Sequence, residues 1–213
     1  MSYIKNLVKI SNHINALSQS TNLIIVTKNQ DQNIIKKLAE TNHINFGENR
    51  VQEAINKWSN VINLNSNIKL HLIGGIQSNK VKQAFNIFHY IHSLDSLRIA
   101  EIFSKLEINS KKKIKYFIQV NLAKESQKSG IHEEYLVEFI DLCKNKLSLD
   151  IIGLMCIPPI NVNPEKYFKK LKELNDKNNL TELSMGMSSD YELAIKYGST
   201  YVRIGSAIFS NQS

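Results

Sequence analysis

A lysine follows one of the most apolar runs of the sequence. Residues 23–26 read Leu-Ile-Ile-Val, and Thr27 and Lys28 come next. If this run forms a buried strand, desolvation at its end favours the neutral form of the Lys28 amine. A neutral amine is a nucleophile toward carbonyl groups. The alternative is that Lys28 simply reaches solvent at the strand end, and position alone does not separate the two.

Two stretches near the end of the sequence are typical of an anion site. Ser189-Asp190-Tyr191-Glu192 fits the S-x-x-E capping box, which predicts a helix capped by Ser189 that ends at Tyr197 before Gly198. Free N–H groups at such a helix start favour an anion. Gly205-Ser206, after the next apolar run, supplies a second set of backbone donors. Simple helix capping is the alternative, but two donor sets in adjacent loops favour a phosphate.

An arginine interrupts the last apolar run. In a strand of period two, Val202 and Ile204 share one face and Arg203 lies on the other. If the two apolar residues pack against helices, Arg203 points inward, where an unpaired charge is costly. A ligand nitrogen or carboxylate would satisfy it. An internal ion pair with Glu48 or Asp95 is the alternative.

These three features match three groups of one cofactor. Pyridoxal 5'-phosphate (PLP) carries an aldehyde, a phosphate and a pyridine nitrogen. A nucleophilic lysine, a phosphate cradle and an inward arginine together therefore predict a PLP site.

Eight short apolar runs alternate with stretches of helical spacing, which predicts the elements that must position these residues. Strict alternation implies a parallel sheet with right-handed crossovers, and eight units imply a closed (β/α)8 barrel with its chemistry at the carboxyl ends of the strands. One domain over residues 1–213, with an N-terminal helix, is therefore predicted. An open doubly wound sheet is the alternative, but no G-x-G-x-x-G follows the first strand. The predicted strands are 23–27, 44–46, 70–73, 90–94, 116–121, 151–155, 182–185 and 201–204.

Composition excludes several classes of protein. Only Cys143 and Cys156 are present, which excludes a disulfide scaffold and a four-cysteine zinc site, and no other metal-ligand spacing is found. The net charge is +8, but the basic residues are scattered, so we expect no nucleic-acid partner. No apolar run approaches membrane-spanning length and no secretory segment is evident, so no membrane association and a cytoplasmic location are expected.

The same residues carry a family likeness. The sequence resembles the pyridoxal phosphate homeostasis proteins, a small single-domain branch of the alanine-racemase-like barrel (fold type III of PLP proteins). The matching stretches run in order over nearly the whole chain. They are 26–28, 46–53, 71–80, 91–96, 118–121, 128–130, 153–155, 183–190 and 202–209.

The resemblance implies a set of cofactor-binding residues. It implies that Lys28 forms an internal aldimine with PLP and that Arg203 faces the pyridine nitrogen. It also implies that the phosphate is held by Ser188, Gly205 and Ser206, and that the pocket is lined by Asn49 and Met185. The sequence departs from the family at Gly75, where a histidine is common, and at Cys156, where a threonine is usual.

The resemblance also implies a carrier or regulator of vitamin B6 rather than an enzyme, with apo-enzymes as recipients of the cofactor. An arginine at the pyridine nitrogen weakens the ring as an electron sink. A racemase also needs an acid–base residue on each face of its substrate. In alanine racemases one of these is a tyrosine from a separate domain of the partner subunit, which has no counterpart here, and we expect a monomer. The alternative is a racemase or lyase of small amino acids that uses His71, Cys156 or Tyr201.

Overall fold

Eight parallel strands close into one barrel in a computed structural model of the chain, which describes residues 2–62, 65–123, 125 and 127–210. The strands follow one another around the barrel in sequence order, and β8 closes on β1. The predicted (β/α)8 barrel is therefore confirmed. The strands are β1 (Asn22–Val26), β2 (Asn45–Glu48), β3 (Lys69–Leu72), β4 (Tyr90–Leu94), β5 (Lys115–Gln119), β6 (Asp150–Met155), β7 (Glu182–Ser184) and β8 (Tyr201–Ile204).

Helices surround the barrel, and one precedes it, as the sequence predicts. A 3-10 turn (Ser78–Lys80) leads into α4, and a π-helical turn (Leu142–Lys146) follows α6. None of the helices in these described ranges is long and apolar enough to cross a membrane. The helices are α1 (Ser2–Leu17), α2 (Gln32–Ala39), α3 (Val51–Trp58), α4 (Val81–Ile87), α5 (Leu97–Ile108), α6 (Glu133–Asp141), α7 (Glu165–Lys177), α8 (Tyr191–Lys196) and α9 (Ser206–Phe209).

The apolar residues divide into two clusters because neighbouring strand residues face opposite sides of the sheet. The larger cluster lies between the barrel and its helices. The smaller one fills the barrel interior with Ile24, Phe117, Met155 and Tyr201. Both faces of each strand are thus covered, which is why the strands read as continuous apolar runs.

The barrel register brings together the ends of three strands. Ile25 of β1 is paired with Ile204 of β8 on one side and with Phe46 of β2 on the other. The loops that follow β8, β1 and β2 therefore lie side by side at the carboxyl end of the barrel. We call this end the mouth.

The capping box predicted at Ser189 is wrong. Asp190 is the N-cap of α8, and its Oδ1 accepts a hydrogen bond from the Met187 N–H at 2.6 Å. The Tyr191 N–H reaches back to the Met187 carbonyl, so the turn before α8 takes in Ser189 and the helix begins one residue later than predicted. The predicted glycine after this helix is present, with Gly198 in the left-handed region at φ 86°.

Candidate functional site

Lys28 lies in a tight turn immediately after β1, and its side chain is exposed. The Gln30 N–H donates to the Thr27 carbonyl at 3.1 Å, and Asn29 takes a left-handed conformation with φ 61°. Asparagine tolerates that conformation better than most residues, which fixes the turn. Of the two possibilities for Lys28, the structure shows the lysine that reaches solvent and not the desolvated one, because β1 ends two residues earlier and the turn carries the lysine out to the mouth.

The backbone on both sides of Lys28 is held by side chains from β2 and α3. Lys57 Nζ donates to the Thr27 carbonyl at 2.7 Å, and Thr27 Oγ1 donates to Glu48 Oε1 at 2.6 Å. The Asn29 N–H donates to Glu53 Oε1 at 2.7 Å. Within the described residues, Lys28 itself makes no hydrogen bond or ion pair. The turn is therefore fixed while the amine stays free.

A buried ion-pair network lies behind this turn. Lys57 is 8% exposed and contacts Glu48 Oε1 at 2.7 Å and Glu53 Oε1 at 2.8 Å. Trp58 Nε1 also donates to Glu48 Oε1, at 3.0 Å. Partial burial raises the pKa of Glu53, but the hydrogen bonds from Lys57 and the Asn29 N–H outweigh it and leave that pKa below its usual value. We call Lys57, Glu48, Glu53 and Thr27 the ionic network.

Arg203 points into the barrel, as predicted, and neither acid of the alternative ion pair contacts it. It is 4% exposed; Nη1 donates to Ser184 Oγ at 2.7 Å and Nη2 to the Cys156 carbonyl at 3.1 Å. The ion pair with Glu48 is wrong, because Glu48 lies on the outer face of β2 and pairs with Lys57. The ion pair with Asp95 is also wrong, since no such contact occurs within the described residues.

The contacts of Arg203 leave capacity for a ligand. Guanidinium carries five N–H donors, and two hydrogen bonds are made within the described part of the chain. Burial lowers the pKa of Arg203, yet an arginine keeps its charge in proteins. A buried cation without a carboxylate partner is costly, so an acceptor that enters from the mouth would stabilise it.

The two predicted phosphate loops contact each other. The Ala207 N–H, after β8, donates to Ser188 Oγ, after β7, at 3.3 Å. The backbone N–H groups of Ser188 and Ser206 make no hydrogen bond within residues 2–62, 65–123, 125 and 127–210. A Cβ at Gly205 would lie 3.0 Å from the Val26 carbonyl oxygen, so glycine lets this loop approach the strand that carries the lysine.

The two residues predicted to line the pocket differ in their positions. Asn49 is half-buried at the end of β2, and its carbonyl lies 2.3 Å from where a Cβ on Gly74 would be, so only glycine allows this approach. The Met185 side chain is fully buried in the cluster between barrel and helices. Its neighbour Ser184 faces the barrel interior instead. The role of Met185 at the pocket stays a prediction.

Another part of the mouth forms a cavity of about 290 Å³ between the loops after β3, β5 and β6. Gly75, which replaces a common family histidine, lines it, and a Cβ at this position would meet nothing within 4 Å. The absence of a side chain therefore leaves this side of the mouth open. The other lining residues include Gly74, Gln119, Asn121, Ser129 and Ile157.

The sequence analysis did not identify the residues that hold the Lys28 turn and the Arg203 side chain in place. It did not assign a role to Lys57 or Glu53 behind Lys28, or to Ser184 beside Arg203. Alternation along β7 was the available signal for Ser184, because a small polar residue on the inward face of a barrel strand needs a polar partner. No local pattern indicates that Lys57 reaches back to Thr27, 30 residues earlier.

Comparisons with known sequences identify the family. The family described as alanine racemase, N-terminal domain, matches residues 3–212. The pyridoxal phosphate homeostasis protein of Aquifex aeolicus is 38% identical over 176 residues, which cover 78% of this chain and 76% of the relative. That of Haemophilus influenzae is 32% identical over 226 residues, with 95% of each chain covered.

Solved structures point the same way. PipY of Synechococcus elongatus, solved with PLP bound, superposes with a TM-score of 0.89 at 31% identity and covers 98% of this chain and 100% of its own. Alanine racemase from Corynebacterium glutamicum has a TM-score of 0.67 at 14% identity, with 92% of this chain and 58% of the racemase covered. The second likeness shows a shared fold alone.

Proposed function

The chain belongs to the pyridoxal phosphate homeostasis proteins within the alanine racemase N-terminal domain family, and we propose that it binds PLP at the barrel mouth and stores, delivers or buffers it. One observation carries the proposal. A buried arginine without an acidic partner in the described residues lies in β8, next to the strand that leads to an exposed lysine, and two contacting loops with free backbone donors follow β7 and β8. These groups fit a ligand with a ring nitrogen, an aldehyde and a phosphate.

Each group of the chain has a distinct role in this proposal. When bound, PLP supplies an aldehyde carbon that bonds to an amine nitrogen with loss of water. Lys28 presents that amine on a fixed turn. Arg203 would donate to the ring nitrogen, and the N–H groups of Ser188 and Ser206 would donate to the phosphate.

The proposed role is non-catalytic because the candidate acid–base residues are poorly placed for proton transfer. His71 is fully buried, and burial lowers its pKa well below the usual range. Burial raises the pKa of Cys156 to about 12, and it raises that of Tyr201 as well. A racemase needs an available proton donor or acceptor on each face of the substrate. A ring nitrogen held by an arginine cation also withdraws fewer electrons.

A transfer assay tests this role. The protein is loaded with PLP, freed of excess ligand by gel filtration, and mixed with an apo-enzyme that requires PLP. We expect the apo-enzyme to regain activity, and the Lys28→Ala variant, treated in the same way, to restore little. Failure of the wild-type protein to retain PLP would overturn the proposal.

The same preparation separates a carrier from an enzyme. Loaded protein is incubated at high concentration with L-alanine or L-serine, and the optical rotation and the products are followed for hours. We expect no change. Steady loss of optical rotation, or release of a keto acid, would instead establish a racemase or lyase. The proposal takes the chain as a monomer, for which light scattering should give about 24.4 kDa.

A further inference from the structure

A continuous chain of hydrogen bonds runs through the barrel interior and ends at Arg203. Asn45 Oδ1 lies 3.1 Å from His71 Nε2, and His71 Nδ1 lies 2.9 Å from His92 Nε2. His92 Nδ1 lies 2.7 Å from Ser184 Oγ, which accepts from Arg203 Nη1. Four strands, β2, β3, β4 and β7, contribute one residue each. We call Asn45, His71, His92 and Ser184 the interior chain.

The direction of every hydrogen bond in this chain follows from its two ends. Arg203 can only donate, so Ser184 Oγ accepts from it and has its own hydrogen left for His92 Nδ1. At the other end Asn45 Oδ1 can only accept, so His71 carries its hydrogen on Nε2 and donates to it. The Nδ1 of a neutral His71 then accepts from His92 Nε2–H, and His92 Nδ1 is left to accept the Ser184 hydrogen. In this one arrangement every hydrogen has an acceptor.

Burial keeps both rings neutral, as this arrangement requires. His71 and His92 are fully buried, and desolvation lowers both pKa values well below the usual range. Each ring is also fixed by an aromatic partner. His71 stacks on Tyr90 with ring centroids 4.3 Å apart, and His92 stacks on Phe117 at 4.3 Å. The rings can neither rotate freely nor gain a proton at neutral pH, so the direction of the chain is locked.

We propose that His92 and His71 are positioning residues that lock Ser184 as the acceptor for Arg203 and so aim the remaining guanidinium N–H groups at the ring nitrogen of the ligand. A Ser184 hydroxyl without His92 would be free to turn its hydrogen toward Arg203, and the contact between Nη1 and Oγ would weaken. The Cys156 carbonyl alone would then hold the guanidinium. This inference rests on the proposed PLP site for its ligand, but not for the chain itself.

Nitrogen-15 NMR of the ligand-free protein tests the chain independently of any cofactor. We expect both buried rings to be neutral Nε2–H tautomers at pH 7, with no fast exchange between tautomers. His43, which is half-buried and contacts the backbone carbonyl of Asn45 but none of the side chains of the interior chain, serves as the internal comparison. An Nδ1–H tautomer at either buried ring, or a protonated ring, would overturn the proposed direction.

Two ligands that differ only at the ring nitrogen test the consequence. Wild-type protein should bind PLP roughly tenfold more tightly than the 1-deaza analogue, in which carbon replaces that nitrogen, because a hydrogen bond from a charged donor is lost. His92→Phe keeps the stacked ring but removes the acceptor for Ser184, and it should bring this ratio close to one. His92→Gln offers an amide oxygen to Ser184 and should restore part of the ratio.

The ratio of the affinities for PLP and its 1-deaza analogue separates a positioning role of His92 from a structural one. A merely structural change would weaken both ligands equally and leave the ratio unchanged, which would contradict the proposal. Ser184→Ala gives the same test if His92→Phe does not fold, and His43→Phe is the matched control. Wild-type protein that binds neither ligand would overturn the proposed function, while the NMR result would still decide the direction of the chain.

Discussion

Two buried polar networks support the two residues predicted to face the ligand, and they work in opposite ways. The ionic network, behind Lys28, is built from full charges and holds the backbone of the turn, while the lysine side chain stays free. The interior chain, beneath Arg203, consists of neutral groups and holds the arginine side chain itself. A nucleophile must change its bonds, so only its backbone is fixed. A cation that recognises a ligand atom is best fixed at its tip.

The two networks should also differ in what they contribute to stability. Removal of one partner of a buried ion pair leaves an uncompensated charge and costs about 3–5 kcal/mol. A neutral hydrogen bond contributes about 0.5–1.5 kcal/mol. Disruption of the ionic network should therefore mainly lower the free energy of unfolding. Disruption of the interior chain should mainly weaken recognition of the ligand.

The largest expected effect comes from the free amine. Lys28→Ala should abolish covalent cofactor binding and leave the free energy of unfolding nearly unchanged, because the side chain is exposed and has no partner in the described residues. Visible absorbance after PLP addition measures the first quantity, and urea unfolding measures the second. Lys80→Ala, which removes a half-exposed lysine after β3, is the matched control and should bind normally. Undiminished absorbance in Lys28→Ala would show that another lysine is used.

The next effect tests the charged side of the comparison. Lys57→Met should destabilise the fold by about 3–5 kcal/mol, because Glu48 is left buried without its cation. The double variant Lys57→Met with Glu48→Gln removes both charges and should recover much of this loss. Urea unfolding of the three proteins provides the measurement. A single variant as stable as wild type would show that the ionic network contributes nothing.

A third effect concerns the predicted phosphate-binding loops, whose residues belong to neither network. Gly186 has φ 93°, and a Cβ there would lie 2.5 Å from the Ala194 Cβ. Gly186→Ala should therefore cost about 1–3 kcal/mol and weaken PLP binding, because it displaces the loop that carries Ser188. Gly75→Ala is the matched control, since a Cβ there meets nothing. If Gly186→Ala and Gly75→Ala unfold at the same urea concentration, the added Cβ at position 186 causes no strain.

The smallest expected effect is a difference between the two networks in how stability depends on pH. The unfolded-state pKa of histidine is about 6.5, and the folded values of His71 and His92 lie well below it, so the unfolded chain binds more protons as pH falls. The resulting stability is present above pH 6.5 and is lost as pH drops below it. Glu53 has a lowered pKa and stays charged in this range. Unfolding at pH 7 and pH 5 should therefore show a smaller loss in His92→Phe than in wild type.

Equal losses in the two proteins between pH 7 and pH 5 would contradict a neutral interior chain. Partly exposed His89 adds to the loss in both proteins, since burial lowers its pKa to about 4. It therefore cancels in the comparison. The double variant Lys57→Met with Glu48→Gln, which leaves no unpaired buried carboxylate at Glu48, serves as the control from the other network and should show the wild-type slope.

Much of the fold follows from the sequence, because its signal is local. Continuous apolar runs predict strands covered on both faces, and alternation within β8 correctly turns Arg203 inward. The error at Ser189 arose because Ser189 and Asp190 both suit an N-cap, and only the backbone turn decides between them. The alternative ion pair with Glu48 could have been excluded from the sequence, because period two places Glu48 on the same outward face as Phe46.

The supports of the site lie beyond such reasoning. His92 and Ser184 are 92 positions apart in sequence, and their contact exists only because the barrel closes. Lys28 precedes the left-handed Asn29, whose N–H is held by Glu53 of α3, 24 residues later in the sequence. A single sequence thus indicates which groups face a ligand, while the groups that hold them emerge only from the closed structure.

We propose Lys28 as the amine that bonds the cofactor, while Ser184 and the Cys156 carbonyl hold Arg203 in place. Borohydride reduction of the PLP-soaked protein, followed by peptide mass mapping, identifies the amine that is used. We expect a pyridoxyl group on the peptide that contains Lys28 and none on the peptide that contains Lys80. A pyridoxyl group elsewhere, or on no peptide, would show that Lys28 is not this amine.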